Sequence, residues 1–229
     1  MSDAVLKKYA YSYFPVVQFD AGKDVLIRLD FTSANKELTD EIYNDTARFS
    51  EYVYKKIKAA GAAYAIGGYA EKRSIYSRSN RYDNEAGEPR RLHLGIDVWA
   101  PAGTKIFAPL GGMVHSFANN ADHGNYGGTI VLLHQLDGLP FYTLYGHLSL
   151  ASLGIREGLF INRGEAFAAL GTPEENGNWP PHLHFQVMYD MQLYHGDYPG
   201  VCAYSEQKKY LSNCPNPDII LQMMKYAIP

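Results

Sequence analysis

Trp179-Pro180-Pro181-His182-Leu183-His184-Phe185-Gln186-Val187 is the stretch on which the fold turns. Two consecutive prolines forbid a helix, because neither can donate to a carbonyl one turn back. The residues after them alternate: His182 and His184 point one way, Leu183, Phe185 and Val187 the other. This is the period of a half-buried strand. The two imidazoles then lie side by side on one face, about 7 Å apart along the strand. Both can reach a common centre, such as a metal ion and its water.

A second alternating stretch is Leu92-His93-Leu94-Gly95-Ile96-Asp97-Val98-Trp99. His93, Gly95 and Asp97 share one face, and Leu94, Ile96 and Val98 the other. Gly95 leaves open space between the two polar side chains. A helix would also bring His93 and Asp97 together. The glycine, the β-branched residues and Pro101 favour a strand instead. His93, Asp97 and one histidine of the later pair supply two nitrogens and one carboxylate. Three protein ligands with an open fourth position are the donor set of a catalytic zinc ion.

The rest of residues 92–189 is of the same kind. Short apolar runs recur roughly every ten residues, with glycine or proline between them. They are Lys105–Ala108, Gly112–Ala118, Thr129–His134, Phe141–His147, Gly158–Ile161, Ala166–Gly171 and His182–Tyr189. None has a helical period, so a mainly β fold is expected here, an antiparallel sandwich or barrel-like domain. Upstream, Tyr13–Phe19 and Val25–Phe31 read as strands, and the first thirty-five or so residues as β. One helix is expected over Thr39–Ala60, with Ile42, Phe49, Val53 and Ile57 on its buried face. Ala63–Tyr69 reads as a strand close to another backbone, and Arg73–Arg91 as a polar loop. Downstream, a proline-punctuated loop leads to a short helix at Pro217–Tyr226. The expected organisation is an α+β extension over 1–89, packed on a β domain over 90–195, with a tail over 196–229.

Composition bounds the function. The chain has 229 residues, 46% of them hydrophobic, which suits a single ordinary core. A net charge of −3 gives no electrostatic reason to expect nucleic acid or an anionic membrane surface as a partner. No apolar run reaches the length of a membrane span, about eighteen residues. Lys7 and Lys8 could begin an export signal, but Pro15, Ser12 and Gln18 break the run after them and no small-x-small cleavage site comes next. Cys202 and Cys214 are too few for a disulfide framework and read as reduced thiols. Together these features give the expectation of a cytoplasmic protein.

Three separated motifs carry a resemblance to a known family: His93-Leu-Gly-Ile-Asp97, Gly146-His147-Leu148 and His182-Leu183-His184. In this order, and with the turns Ala100-Pro101-Ala102-Gly103-Thr104 and Arg163-Gly164-Glu165 between them, the chain resembles the M23 zinc metallopeptidases, the lysostaphin-like and LytM-like endopeptidases. The resemblance covers roughly residues 90–190. It implies one zinc ion per chain held by His93, Asp97 and His184. It implies that His182 is the general base on the activated water, and that His147 hydrogen-bonds the water or the developing oxyanion. It also implies a peptide substrate, in peptidoglycan cross-bridges or a related peptide containing glycine or D-amino acids. The loop Thr172–Trp179 departs from the family in being bulkier and more acidic, and is expected to border the substrate groove.

Two other readings share parts of this pattern. Non-haem iron oxygenases also use two histidines and a carboxylate. The 2-oxoglutarate-dependent kind spaces the first pair as His-x-Asp, with an arginine after the distal histidine. Here the spacing is longer and no arginine occurs after Arg163. A catalytically silent binding or scaffold domain would retain the fold without its ligands, whereas all five polar residues are present.

Overall fold

The computed structural model describes residues 2–83 and 87–229. In chain order the elements begin with helix α1 (Ser2–Lys8), strand β1 (Leu26–Arg28), helices α2 (Asp40–Tyr43) and α3 (Thr46–Ala59), and strand β2 (Tyr64–Gly67). Next come strands β3 (Leu92–His93), β4 (Ile96–Trp99), β5 (Lys105–Phe107), β6 (Gly112–Asn120), β7 (Gly127–Leu136), β8 (Leu139–Leu148), β9 (Phe160–Ile161), β10 (Ala166–Ala169), β11 (His182–Met188) and β12 (Val201–Cys202). The chain closes with helices α4 (Gln207–Asn213) and α5 (Asp218–Leu221) and strand β13 (Ala227–Ile228).

Nine strands form one sheet in the order β13-β1-β2-β4-β11-β8-β7-β6-β9. The pairs β13–β1 and β1–β2 are parallel and the rest antiparallel, so the sheet is mixed. Two short pairs, β10–β5 and β12–β3, flank it. The chain is mainly β, as the alternation implied, but the large sheet does not close into a barrel. Leu183, Phe185 and Val187 enter the main core with Val98, Ile130 and Tyr145, so the apolar face of β11 falls where its alternation placed it.

Residues before position 90 share this sheet and its cores. Strand β2 pairs with β4, and Leu6, Val16 and Val17 lie in the main core. Helix α3 buries Phe49, Val53 and Ile57 in a second cluster with Phe31, Trp99 and Trp179. The Tyr54 hydroxyl donates to the carbonyls of Ala100, at 3.0 Å, and Pro181, at 3.3 Å, tying α3 to the end of β4 and the start of β11.

Several local expectations are corrected. Residues 2–8 are helical rather than β, with Asp3 in the first turn, Lys7 and Lys8 in the last, and Leu6 buried. Tyr13–Phe19 is irregular, with a bend at Val16 and Val17, and forms no strand. Phe14 N–H donates to Pro109 and Val16 accepts from Phe107, while Pro15 between them has no N–H to extend the ladder. The helix expected over 39–60 is two. Asp45 is extended, and its carboxylate accepts from Arg48 N–H at 3.0 Å, so it caps a new helix rather than continuing the old one. The stretch Leu92–Trp99 is likewise split: His93 pairs with Val201 in a side sheet and Asp97 with His184 in the main one. At the C-terminus the longest helix is Gln207–Asn213, and Pro217–Tyr226 holds only the short α5 and a 3₁₀ turn. Of the loop expected over 73–91, residues 84–86 lie outside the described residues. The rest is irregular apart from 3₁₀ turns at Ile75–Arg78 and Asn80–Tyr82.

Candidate metal centre

The sheet register builds the site. Gly67, Asp97, His184 and Gly146 form one row across β2, β4, β11 and β8. Asp97 and His184 are therefore neighbours by backbone pairing, before any side-chain preference acts. His184 Nδ1 lies 3.1 Å from Asp97 Oδ1 and 3.0 Å from His93 Nε2. His93 Nε2 is 3.3 Å from Asp97 Oδ1. One ligand atom from each of the three lies within 4.8 Å of the others, and all three residues are buried.

The outer nitrogens of these imidazoles are already engaged. His93 Nδ1 donates to the Gly68 carbonyl at 3.0 Å, which leaves Nε2 as a lone pair facing the centre. His184 Nε2 donates to Gln186 Oε1 at 2.9 Å, which leaves Nδ1. Ligand histidines need such partners to fix tautomer and orientation. Two imidazoles and a carboxylate, buried and pre-aimed, suit a divalent ion of the zinc type.

Gly95 is the hinge of this packing. A Cβ there would meet the His184 ring at 2.6 Å and the Phe185 carbonyl at 2.8 Å, so the space left by the missing side chain is filled by the His184 ring. Gly95→Ala is expected to push His184 out of line, with a loss of metal affinity on the order of 10–100-fold. It should also destabilise the fold by about 1–3 kcal/mol through overpacking. Chelator competition and thermal melting measure both, and native values would contradict this reading.

His182 and His147 border these three residues. The Nε2 of His182 is 3.9 Å from Asp97 Oδ1, while its Nδ1 donates to the Pro180 carbonyl at 2.6 Å and its ring stacks on Trp99. His147 breaks the alternation of its strand. Gly146 pairs with His184 on the site side and Tyr145 packs into the core, so a regular strand would send His147 toward the core as well. A left-handed backbone, φ +65°, turns it back, and its ring centre lies 4.1 Å from that of His182. The cost of such a conformation, on the order of 1 kcal/mol, is tolerated where the surroundings hold it. Here His147 N–H donates to Tyr126, its carbonyl accepts from Gly171, and its Nδ1 donates to the Asn176 carbonyl at 2.8 Å.

Burial favours the neutral form of His93, His147 and His182. Desolvation pushes His93 and His182 down to about 4 and His147 well below its usual value. His134, buried elsewhere, is also pushed down to about 4. Such groups bind fewer protons folded than unfolded. Their contribution to stability is therefore full above the ordinary histidine value, about 6.5, and is lost as pH falls toward 4. The chelated protein should melt progressively lower between about pH 6.5 and 4. A flat melting profile over that window would contradict the burial argument.

A cleft of about 250 Å³ opens onto the centre, lined by Asp97, His147, His182 and His184 together with Trp179, Tyr82, Tyr126, Tyr198 and the arginines Arg81 and Arg90. The loop Thr172–Trp179 contributes Trp179 to this wall. Its acidic character serves the loop itself: the Glu175 carboxylate accepts from Leu150 N–H and Thr172 N–H, both at 3.0 Å. The other four histidines lie apart. His134 bonds Thr143 at 2.7 Å and Gly111 at 3.0 Å, away from the centre. His115, His123 and His195 are likewise absent from the cleft lining. Cys202 and Cys214 are both buried and unpaired with each other.

Gln186, Gly68, Arg73 and Tyr126 were missed by sequence reasoning. Gln186 had a signal, since it continues the row of His182 and His184. Gly68 acts through its backbone carbonyl, which no residue type reports. Arg73 sat in a stretch read as a polar loop, yet it is buried and its guanidinium pairs with Asp97. Tyr126 donates to the Tyr198 carbonyl at 3.2 Å and packs its ring 5.0 Å from that of His184.

The mixed sheet thus carries a buried grouping of two histidines and one carboxylate beside an aromatic-lined cleft. Residues 91–195, a little under half of the chain, match the profile of peptidase family M23, so this segment is similar to that family. It is 27% identical over 124 residues to an L-Ala--D-Glu endopeptidase of Bacillus subtilis, covering 52% of this chain and 36% of that protein. It is 32% identical over 102 residues to the DD-carboxypeptidase/endopeptidase Mpg of Neisseria meningitidis, covering 44% and 21%. The chain thus spans roughly a third or less of these curated relatives. Among solved structures, a zinc-containing peptidase from Vibrio cholerae is similar at 28% identity with a TM-score of 0.34, covering 42% of this chain and 27% of that one. Lysostaphin from Staphylococcus simulans is similar at 20% identity with a TM-score of 0.39, covering 60% and 47%. Among the described residues no helix is long and apolar enough to cross a membrane.

Proposed function

We propose that the chain is a zinc-dependent endopeptidase acting on cell-wall peptides, of the kind that join peptidoglycan strands through glycine or D-amino acids. The observation that carries this reading is the convergence of His93 Nε2, Asp97 Oδ1 and His184 Nδ1 on one point, with the opposite nitrogen of each histidine engaged by a fixed acceptor. These three atoms would hold the ion. When bound, zinc supplies a Lewis acid that lowers the pKa of a water to about 7 and polarises the scissile carbonyl.

The neighbouring imidazoles move the protons. His182 has committed its Nδ1 hydrogen to Pro180, so Nε2 is free to accept a proton from the attacking water and return it to the leaving amine. His147 has committed its Nδ1 hydrogen to Asn176, so a neutral His147 also presents an acceptor. Of the two roles that the resemblance gives His147, this favours holding the water over donating to the oxyanion. The cleft's tyrosines and Trp179 offer flat apolar walls to a peptide, and Arg81 and Arg90 offer cationic groups to its carboxylates.

The test is hydrolysis of purified muropeptides and of short glycine-containing peptides, monitored by mass spectrometry. New amino termini that vanish with chelator and return with zinc are expected. Intact peptides after prolonged incubation with zinc-loaded protein would overturn the proposal.

A further inference from the structure

Two of the three ligands are held by residues outside the matched segment 91–195. Arg73 is 1% exposed. Its Nη1 pairs with Asp97 Oδ2, and its Nε donates to Glu71 Oε2 at 2.7 Å. Phe31 and Trp99 cover the guanidinium, 5.5 Å and 5.9 Å from their ring centres. Room for it comes from Gly67, where a Cβ would lie 2.9 Å from Nη2 and 2.6 Å from the Trp99 ring. The next carbonyl along, Gly68, receives His93 Nδ1 at 3.0 Å and lies 3.5 Å from Arg73 Nη2.

A buried guanidinium beside a ligand carboxylate has a geometric consequence. Asp97 can offer a metal either one oxygen or both. Arg73 occupies Oδ2, while Oδ1 faces His93 and His184. A second carboxylate oxygen on the ion would fill the position a catalytic site keeps open for water. Glu71, whose side chain is 8% exposed, balances the charge of Arg73, so the pair orients Asp97 while adding no net charge beside a divalent cation.

We propose that Arg73, backed by Glu71, is a positioning residue of the metal centre: it confines Asp97 to a single-oxygen ligand and keeps the fourth coordination position open. The proposal rests on the reading that His93, Asp97 and His184 hold the ion. It makes the stretch 67–73 a working part of the centre.

The test uses the full chain with the double substitution Glu71→Gln/Arg73→Met. This removes the guanidinium without leaving the Glu71 carboxylate charged and unpaired, frees Asp97 Oδ2, and leaves the net charge unchanged. Circular dichroism and the melting temperature of the chelated protein report folding. Zinc affinity is read by chelator competition, and ligand number by the visible spectrum of the cobalt-substituted protein, whose bands weaken as coordination rises from four to five. The expected result is a zinc Kd higher by about 10–100-fold, with weakened cobalt bands. Arg73→Lys keeps a buried cation, which aids folding if the double variant fails. A single ammonium cannot span Asp97, Glu71 and Gly68 in the same fork, so its Kd should rise by about tenfold at least. Native affinity and a native cobalt spectrum in either folded variant overturn the proposal and leave the peptidase reading standing. If the unsubstituted chain binds neither zinc nor cobalt, the peptidase reading itself fails.

Discussion

His184→Ala is expected to abolish stoichiometric zinc binding and hydrolysis together, and to lower the melting temperature of the zinc-loaded protein. Three losses coincide at this residue. The centre loses the nitrogen that sits 3.0 Å from His93 Nε2 and 3.1 Å from Asp97 Oδ1. The buried Gln186 loses the N–H that its oxygen accepts at 2.9 Å. The space over Gly95 loses the ring that fills it. Metal bound to the native state stabilises it by mass action, about 2.7 kcal/mol at a hundredfold excess over Kd. The native protein should therefore melt lower with chelator than with zinc, and His184→Ala should melt at one temperature in both. Retained zinc and a retained zinc-dependent shift would show that His184 is not a ligand.

His182→Ala is expected to do the opposite: zinc stays and turnover falls by about 10²–10⁴-fold, the range for removing a general base. The two histidines share a strand face, so alternation alone leaves either free to bind the metal. Distance separates them. His184 Nδ1 is 3.1 Å from Asp97 Oδ1 and His182 Nε2 is 3.9 Å from it. The His182 ring is instead fixed by Trp99 on one side and the Pro180 carbonyl at the other, which suits a group that handles a proton beside the ion. Zinc content and initial rates on the same preparation decide the matter. If His182→Ala loses zinc while His184→Ala keeps it, the roles are reversed. If both keep zinc and full activity, this pair is not the site.

How far the sequence could be read depended on whether the cause was local. From Lys105 to Met188 the strands are legible from alternation and from the glycines and prolines between runs, because a half-buried strand writes its two faces directly into the chain. His93, Asp97 and the pair His182 and His184 were legible as candidates for the same reason, while the choice of His184 within the pair came from the family resemblance; the register places Asp97 against His184. His147 was legible from its motif but not from its strand, since its direction depends on a left-handed backbone at a non-glycine residue. The split of the helix at Asn44 and Asp45 turned on which of two capping residues, Thr39 or Asp45, makes its side-chain bond, and only Asp45 does. Helix α1 is short and owes its place to the burial of Leu6 in a core assembled from distant strands. Arg73 was the hardest to find. A charged residue in a polar stretch reads as solvated, and its burial depends on Asp97, Glu71, Gly67 and two aromatic rings meeting around it. Long-range pairing of that kind leaves no periodicity.

The most direct test of the central claim is a crystal of the protein purified without added metal, measured on both sides of the zinc absorption edge. One anomalous peak per chain is expected, bonded to His93 Nε2, Asp97 Oδ1 and His184 Nδ1 at about 2.0–2.2 Å, with Asp97 Oδ2 still on Arg73. A peak at the iron edge instead, a metal bound elsewhere, or three side chains that close on one another after zinc is supplied would contradict it.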